Sequence, residues 1–144
     1  MKVSMKGDYG VRALVELAHH YGEGPVQSAA IASRQSIPEP YLDQLLTSLR
    51  RAGFIRSVRG PQGGHALIRD PRDLKLSEVI IVLEGSLAPI ACLDDPDGCR
   101  TTQTCSLKPV WQEVEAATVR VLESITIADI AERERASNVA RYAI

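Results

Sequence analysis

The stretch SAAIASRQSIPEPYLDQLLTSLRRAGFIRSVRGPQGGHALIR, residues 28–69, decides the fold. Ser28 is placed to cap a short helix over residues 29–35. The Ile37-Pro38-Glu39-Pro40 run then interrupts helical backbone before a new helix starts at Tyr41. In that helix Leu42, Leu45, Leu46 and Leu49 fall on one face, with Asp43, Gln44, Ser48 and Arg51 elsewhere, and Gly53 stands where a helix end favours left-handed backbone. A short helix, a tight turn and an amphipathic helix with a polar outer face form a helix-turn-helix, whose second helix is suited to a DNA major groove. Next, residues 54–58 alternate like a strand, Arg59-Gly60-Pro61-Gln62-Gly63-Gly64 is a tight turn, and residues 65–69 read as the returning strand. A hairpin directly after a recognition helix is a wing. Arg59 near its tip can reach an adjacent minor groove, where narrow A/T-rich DNA is most electronegative.

Outward from this segment, Asp8 is a candidate N-cap for a first helix carrying Val11, Leu14, Val15 and Ala18 at helical spacing until Gly22 and Gly24-Pro25. Residues 76–83 form a further short helix before Gly85. Residues 85–106 hold all three cysteines with Pro89, Pro96 and Gly98, and have the character of a long functional loop. A long helix follows over about residues 108–125. Its Trp111, Val114, Thr118, Val121 and Ile125 recur at intervals of three and four, widened by Val110, Ala117 and Leu122. That is more apolar surface than one small winged domain covers, which points to a coiled-coil-like homodimer contact. Thr126 to Asp129 reads as the capped start of a last short helix, fraying from Arg133. The expected fold is mainly α with a small β-hairpin wing: a winged helix-turn-helix over residues 1–84, a cysteine-containing loop over 85–106, and a dimerisation helix with a C-terminal helix over 107–144.

With 144 residues, 44% hydrophobic and only 4% aromatic, the chain is one globular domain packed by aliphatic side chains. The formal net charge is −1, yet residues 34–72 hold seven arginines against three acids. Such a local excess either meets a phosphate backbone or is a solvated basic face. The amino terminus lacks a long apolar stretch, and the longest aliphatic run, residues 79–83, is too short to cross a bilayer, so a cytoplasmic protein without a membrane partner is expected. Three cysteines crowded between Cys92 and Cys105 are a poor disulfide framework and suggest reduced thiols or a metal site. No catalytic constellation is evident, and Gly60 to Gly64 lies between strands rather than before a helix, so an enzyme is not expected.

The series Lys6-Gly7-Asp8-Tyr9-Gly10-Val11-Arg12-Ala13-Leu14, Ile31-Ala32, Ile37-Pro38, Tyr41-Leu42, Leu49-Arg50, Gly53 and, above all, Ser57-Val58-Arg59-Gly60-Pro61-Gln62-Gly63-Gly64-His65 resembles the Rrf2 family of bacterial transcription regulators. The family includes regulators of iron-sulfur assembly, nitric oxide sensors and regulators of cysteine metabolism. The resemblance implies a cytoplasmic homodimer that binds palindromic double-stranded promoter DNA, with operator symmetry matching dimer symmetry. Carried over by position, it places DNA contacts at Tyr41, Gln44, Arg50, Arg59, Gly60 and Gln62. Tyr41 can equally be a packing residue, and Arg50 a solvated helix-end charge. Two departures bear on base preference: Pro38 and Pro40 stand where relatives often have serines, and His65 where the wing commonly has tyrosine.

The resemblance also implies that Cys92, Cys99 and Cys105 hold an iron-sulfur cluster, of 2Fe-2S or 4Fe-4S type, that senses nitric oxide, redox state or iron supply and controls repression. The histidine that completes the cluster in iron-sulfur assembly regulators is here Lys108, which offers no lone pair. Asp8, supplied by the second subunit as in some nitric oxide sensors, is the candidate fourth ligand; a helix-capping role is the alternative. His19 and His20 are held in reserve. Free thiols that respond directly to oxidants, a zinc site, a small-ligand regulator and a non-DNA interaction protein of the same fold remain the competing readings.

Overall fold

The computed structural model describes residues 2–95, 97 and 105–142. Helix α1 (Met5–His19) is the rod around which the rest packs, with Ala13, Leu14, Val15, Leu17 and Ala18 all buried. It starts one turn earlier than the sequence suggests. Ser4 is its cap, the hydroxyl accepting the Gly7 N–H at 3.4 Å, while Asp8 lies within the first turn and pairs with Arg12 four residues on, at 2.8 Å. An exposed serine beta-region cap satisfies the free amides as well as aspartate does, and it leaves Asp8 inside the helix.

Helices α2 (Ser28–Gln35) and α3 (Glu39–Arg51) form the helix-turn-helix. The break between them is shorter than expected. Ser36 turns the chain in left-handed backbone (φ 55°), and Pro40 sits in the first turn of α3, where its missing N–H costs nothing. Leu42, Leu45, Leu46 and Leu49 are all buried, each contributing about 1.5–3 kcal/mol of burial. Gly53, at φ 83°, turns the chain into the hairpin.

Strands β1 (Ile55–Val58) and β2 (Gly64–Leu67) pair antiparallel, with Ile55 opposite Leu67 at the core end and Ser57 opposite His65. The hairpin is docked near its turn end by a bridge in which Val26 and His65 exchange both backbone hydrogen bonds at 2.8 Å. A Cβ on Gly64 would collide with the Val26 carbonyl, so only glycine allows this approach.

Helix α4 (Leu76–Glu84) packs on α1, where Gly10 leaves room for Leu83. Helix α5 (Lys108–Glu123) leads to α6 (Ile127–Tyr142), which returns to the core through the pairing of Lys75 with Thr126 and the buried Ile127 and Ala131. The capping box at its start is complete: Thr126 Oγ1 accepts from Asp129 N–H at 3.1 Å, and Asp129 accepts from Thr126 N–H at 2.9 Å. These bonds hold the Asp129 carboxyl below its usual range. Helix α6 continues well past Arg133 instead of fraying there. Glu134 anchors it to the body of the protein through His19 Nε2 (3.1 Å) and Gln35 Nε2 (3.2 Å), contacts between segments that the local sequence does not announce. Among the described residues, no helix is long and apolar enough to cross a membrane.

Candidate functional site

Helix α3 turns Asp43, Gln44, Arg50 and Arg51 to solvent, opposite its leucine face. Tyr41 is half-buried, its ring edge-on to Tyr9 with centroids 5.6 Å apart, so much of it serves the α1–α3 contact. The hydroxyls of Thr47 and Ser48 are turned back onto the carbonyls of Asp43 and Gln44, which leaves the Gln44 amide and the arginines as the polar groups that reach outward. Arg50 leans toward the wing, donating from Nη1 to Ser57 Oγ at 3.2 Å.

At the wing tip Arg59, Gly60, Pro61 and Gln62 are exposed. Arg59 has no hydrogen bond or ion pair among the described residues, whereas Arg34, Arg69 and Arg72 are committed to Glu16, Glu78 and Asp70. Gln27, just before α2, donates from Nε2 to the Pro61 carbonyl at 3.3 Å and steadies the tip. Thus α3 and the wing present Gln44, Arg50 and Arg59 as free or lightly held donors, a set suited to phosphates and base edges.

Sequence reasoning missed the group that joins these elements. His65 Nε2 lies 3.0 Å from Ser28 Oγ on α2, and its Nδ1 lies 3.2 Å from Ser57 Oγ on β1. Burial pushes the imidazole below its ordinary range; Arg50 adds to this and Asp43 opposes it. The cross-strand pairing of Ser57 with His65 was implicit in the hairpin register, but the reach to Ser28 depends on tertiary docking.

The loop after α4 begins at Gly85. Cys92 sits in a 3-10 turn, Ala91–Leu93, and Cys105 lies just before α5; both are half-buried and outside any disulfide. Cys99 lies outside the described residues. Asp8 is half-exposed in the first turn of α1, and among the described residues its carboxylate bonds Arg12, so a second protomer could approach it. Thiols as soft donors, completed by one exposed carboxylate, fit the donor requirements of an iron-sulfur cluster. The two reserve histidines are engaged elsewhere. His19 pairs with Glu134, and His20 lies between Arg34, Glu16 and Glu23. Donor atoms of Glu16, His19 and Glu134 fall within 4.8 Å of one another. The Gln35 amide nitrogen donates to both carboxylates, at 3.1 and 3.2 Å, so this cluster is satisfied as a structural knot between α1, α2 and α6.

Helix α5 contains no buried residue, and Val110, Val114 and Val121 stand exposed along it. The described residues leave this apolar face uncovered.

The Rrf2 family, described as an iron-dependent transcriptional regulator, matches residues 3–133. The transcriptional regulator CymR of Bacillus subtilis (strain 168) is 37% identical over 131 residues, covering 91% of this chain and 90% of that protein. Among solved structures, IscR of T. potens matches with a TM-score of 0.73 at 46% identity, over 93% of this chain and 88% of that one. CymR (YrzC), described as the global cysteine regulator of B. subtilis, matches with a TM-score of 0.77 at 35% identity, over 92% of this chain and 98% of that one. These relatives are named as regulators rather than enzymes, in keeping with the expectation from the sequence.

Proposed function

The chain belongs to the Rrf2 family of transcriptional regulators, and from that premise we propose that it works as a homodimeric repressor of palindromic promoters whose cysteine loop holds an iron-sulfur cluster. Residues 1–84 bind DNA, with Tyr41, Gln44 and Arg50 on α3 in the major groove and Arg59, Gly60 and Gln62 of the wing in the adjacent minor groove. Residues 107–144 join two copies along the exposed face of α5, and residues 85–106 carry the sensor. The observation that carries this reading is the placement of an uncommitted Arg59 on a wing docked beside the exposed donors of α3.

Cys92, Cys99 and Cys105 would hold the cluster, with Asp8 of a second protomer as fourth ligand in exchange for its bond to Arg12. When bound, the cluster supplies a redox- and nitric-oxide-reactive tie between the loop and the partner's first helix. The chain's own part is to convert that tie into the spacing of two recognition helices: α4 carries the loop root, and α1 carries Asp8 on the rod that supports α3. Releasing the tie shifts the population of DNA-competent dimers.

Selection from a random duplex library tests the DNA-binding part, and a palindromic consensus is the expected product. Protein purified without air should be brown and contain iron and sulfide, and Cys92→Ala should lose both. A second reading, direct oxidation of metal-free thiols, is favoured by the two half-buried thiols outside any disulfide and by the likeness to a cysteine regulator. A protein that stays colourless after anaerobic cluster reconstitution, yet changes DNA affinity with peroxide, decides for it.

A further inference from the structure

His65 is the point where three parts of the DNA-binding surface meet. Its backbone ties the outer part of the wing to Val26, and its ring spans from the first residue of α2 to β1, where Ser57 also receives Arg50 of the recognition helix. The chemistry of these groups restricts the state of the ring. An arginine only donates, so Ser57 Oγ accepts from Arg50. A neutral ring lets the Ser57 hydroxyl donate to Nδ1, with the proton on Nε2 donated to Ser28; each group is then used once, in the single direction Arg50 to Ser57 to His65 to Ser28. An imidazolium has no acceptor. It would force Ser57 to accept from two cations, and would set its own charge beside Arg50.

We infer that neutral His65, protonated on Nε2, is a positioning residue that locks Arg50 and the wing into one arrangement for reading DNA, and that protonating it loosens sequence discrimination. The inference rests on the DNA-binding reading proposed above. The charged groups facing the ring come from α3 alone, Arg50 against protonation and Asp43 for it. On the α2 and β1 sides it meets only the uncharged Ser28 and Ser57, and Arg56 lines the opposite side of the hairpin with Leu17 and His20. Protonation adds positive charge near the backbone, which raises affinity for any duplex, while breaking the Ser57-to-Nδ1 hydrogen bond that orients Ser57 toward Arg50 and setting a second cation against the oxygen that holds Arg50. The ratio of operator to scrambled-duplex affinity therefore falls on acidification.

Two measurements on the full-length protein decide this. Nitrogen NMR of the histidine rings without DNA, at about pH 7.5, should show His65 protonated on Nε2 and bare on Nδ1; the opposite tautomer or a doubly protonated ring overturns the inference. The operator-to-scramble ratio, with a library-selected duplex at fixed salt, should fall about two- to tenfold between about pH 7.5 and about pH 4.5, the window that spans a histidine held below its ordinary range, with the size set by the weight of one lost hydrogen bond. In His65→Gln, which keeps a neutral donor and acceptor but does not titrate, the ratio should be flat with pH. A flat ratio in the unmodified protein, or a fall that persists in His65→Gln, overturns the inference while leaving DNA binding intact. No preference for any duplex at the higher pH overturns the DNA-binding reading itself, and the inference with it.

Discussion

The carboxylate of Glu84, the last residue of α4, accepts from both the backbone N–H of Ser4 (2.9 Å) and its hydroxyl (2.6 Å), so the end of α4 is fastened to the cap of α1. A Cβ on Gly7 would collide with this carboxylate, which explains a glycine within the first turn. The cysteine loop leaves α4 one residue later, at Gly85. Its root is therefore held against the turn that carries Asp8.

Glu84→Ala removes both bonds at an exposed site. It should destabilise the fold by about 1 kcal/mol, read from urea denaturation, with the slope of the transition unchanged.

Gly64→Ala should cost more. The residue has φ 148° and faces the Val26 carbonyl, so a side chain there must push the wing off its bridge. A loss of about 1–3 kcal/mol is expected in denaturation, together with loss of duplex binding, whereas Gly60→Ala at the open tip, φ 105°, should carry backbone strain without a collision.

The α6 capping box gives a pH dependence of defined sign. The Asp129 carboxyl is held below its unfolded value, so its contribution is present above the unfolded range, near pH 4, and is lost as pH falls through the lower folded value. Asp129→Asn should be less stable than the parent protein at neutral pH and indistinguishable from it in urea titrations at about pH 2.

Val121, 57% exposed on α5, lies in the face proposed to meet a second copy. Val121→Asp should convert a dimer into a monomer in sedimentation experiments while leaving thermal unfolding of the single chain cooperative.

Much of this architecture was legible because it is locally encoded. The leucine spacing of α3, Gly53 after it, the Thr126–Asp129 box and the glycine-rich hairpin turn each state their structure within a few residues. The errors were equally physical. Asp8 is a good cap by type, but Ser4 was nearer the true start. Pro40 marks a helix's first turn as readily as a break. The length of α6 depends on Glu134 meeting His19 and Gln35, residues roughly a hundred positions away, and no local pattern reveals that. The same holds for the site. Arg59 stood out from sequence because a hairpin has little structural use for an arginine beside Gly-Pro, while His65 acquires its partners only when the wing docks on Val26 and α2.

The most direct test of the account is the salt dependence of binding to a library-selected palindromic duplex, for the unmodified protein and for Arg59→Ala. A steep fall of affinity with salt, preference over a scrambled duplex, and a loss of about 1–3 kcal/mol in Arg59→Ala with the log-log slope reduced by about one are predicted. Affinity equal for both duplexes, insensitive to salt and unchanged by the substitution would contradict it.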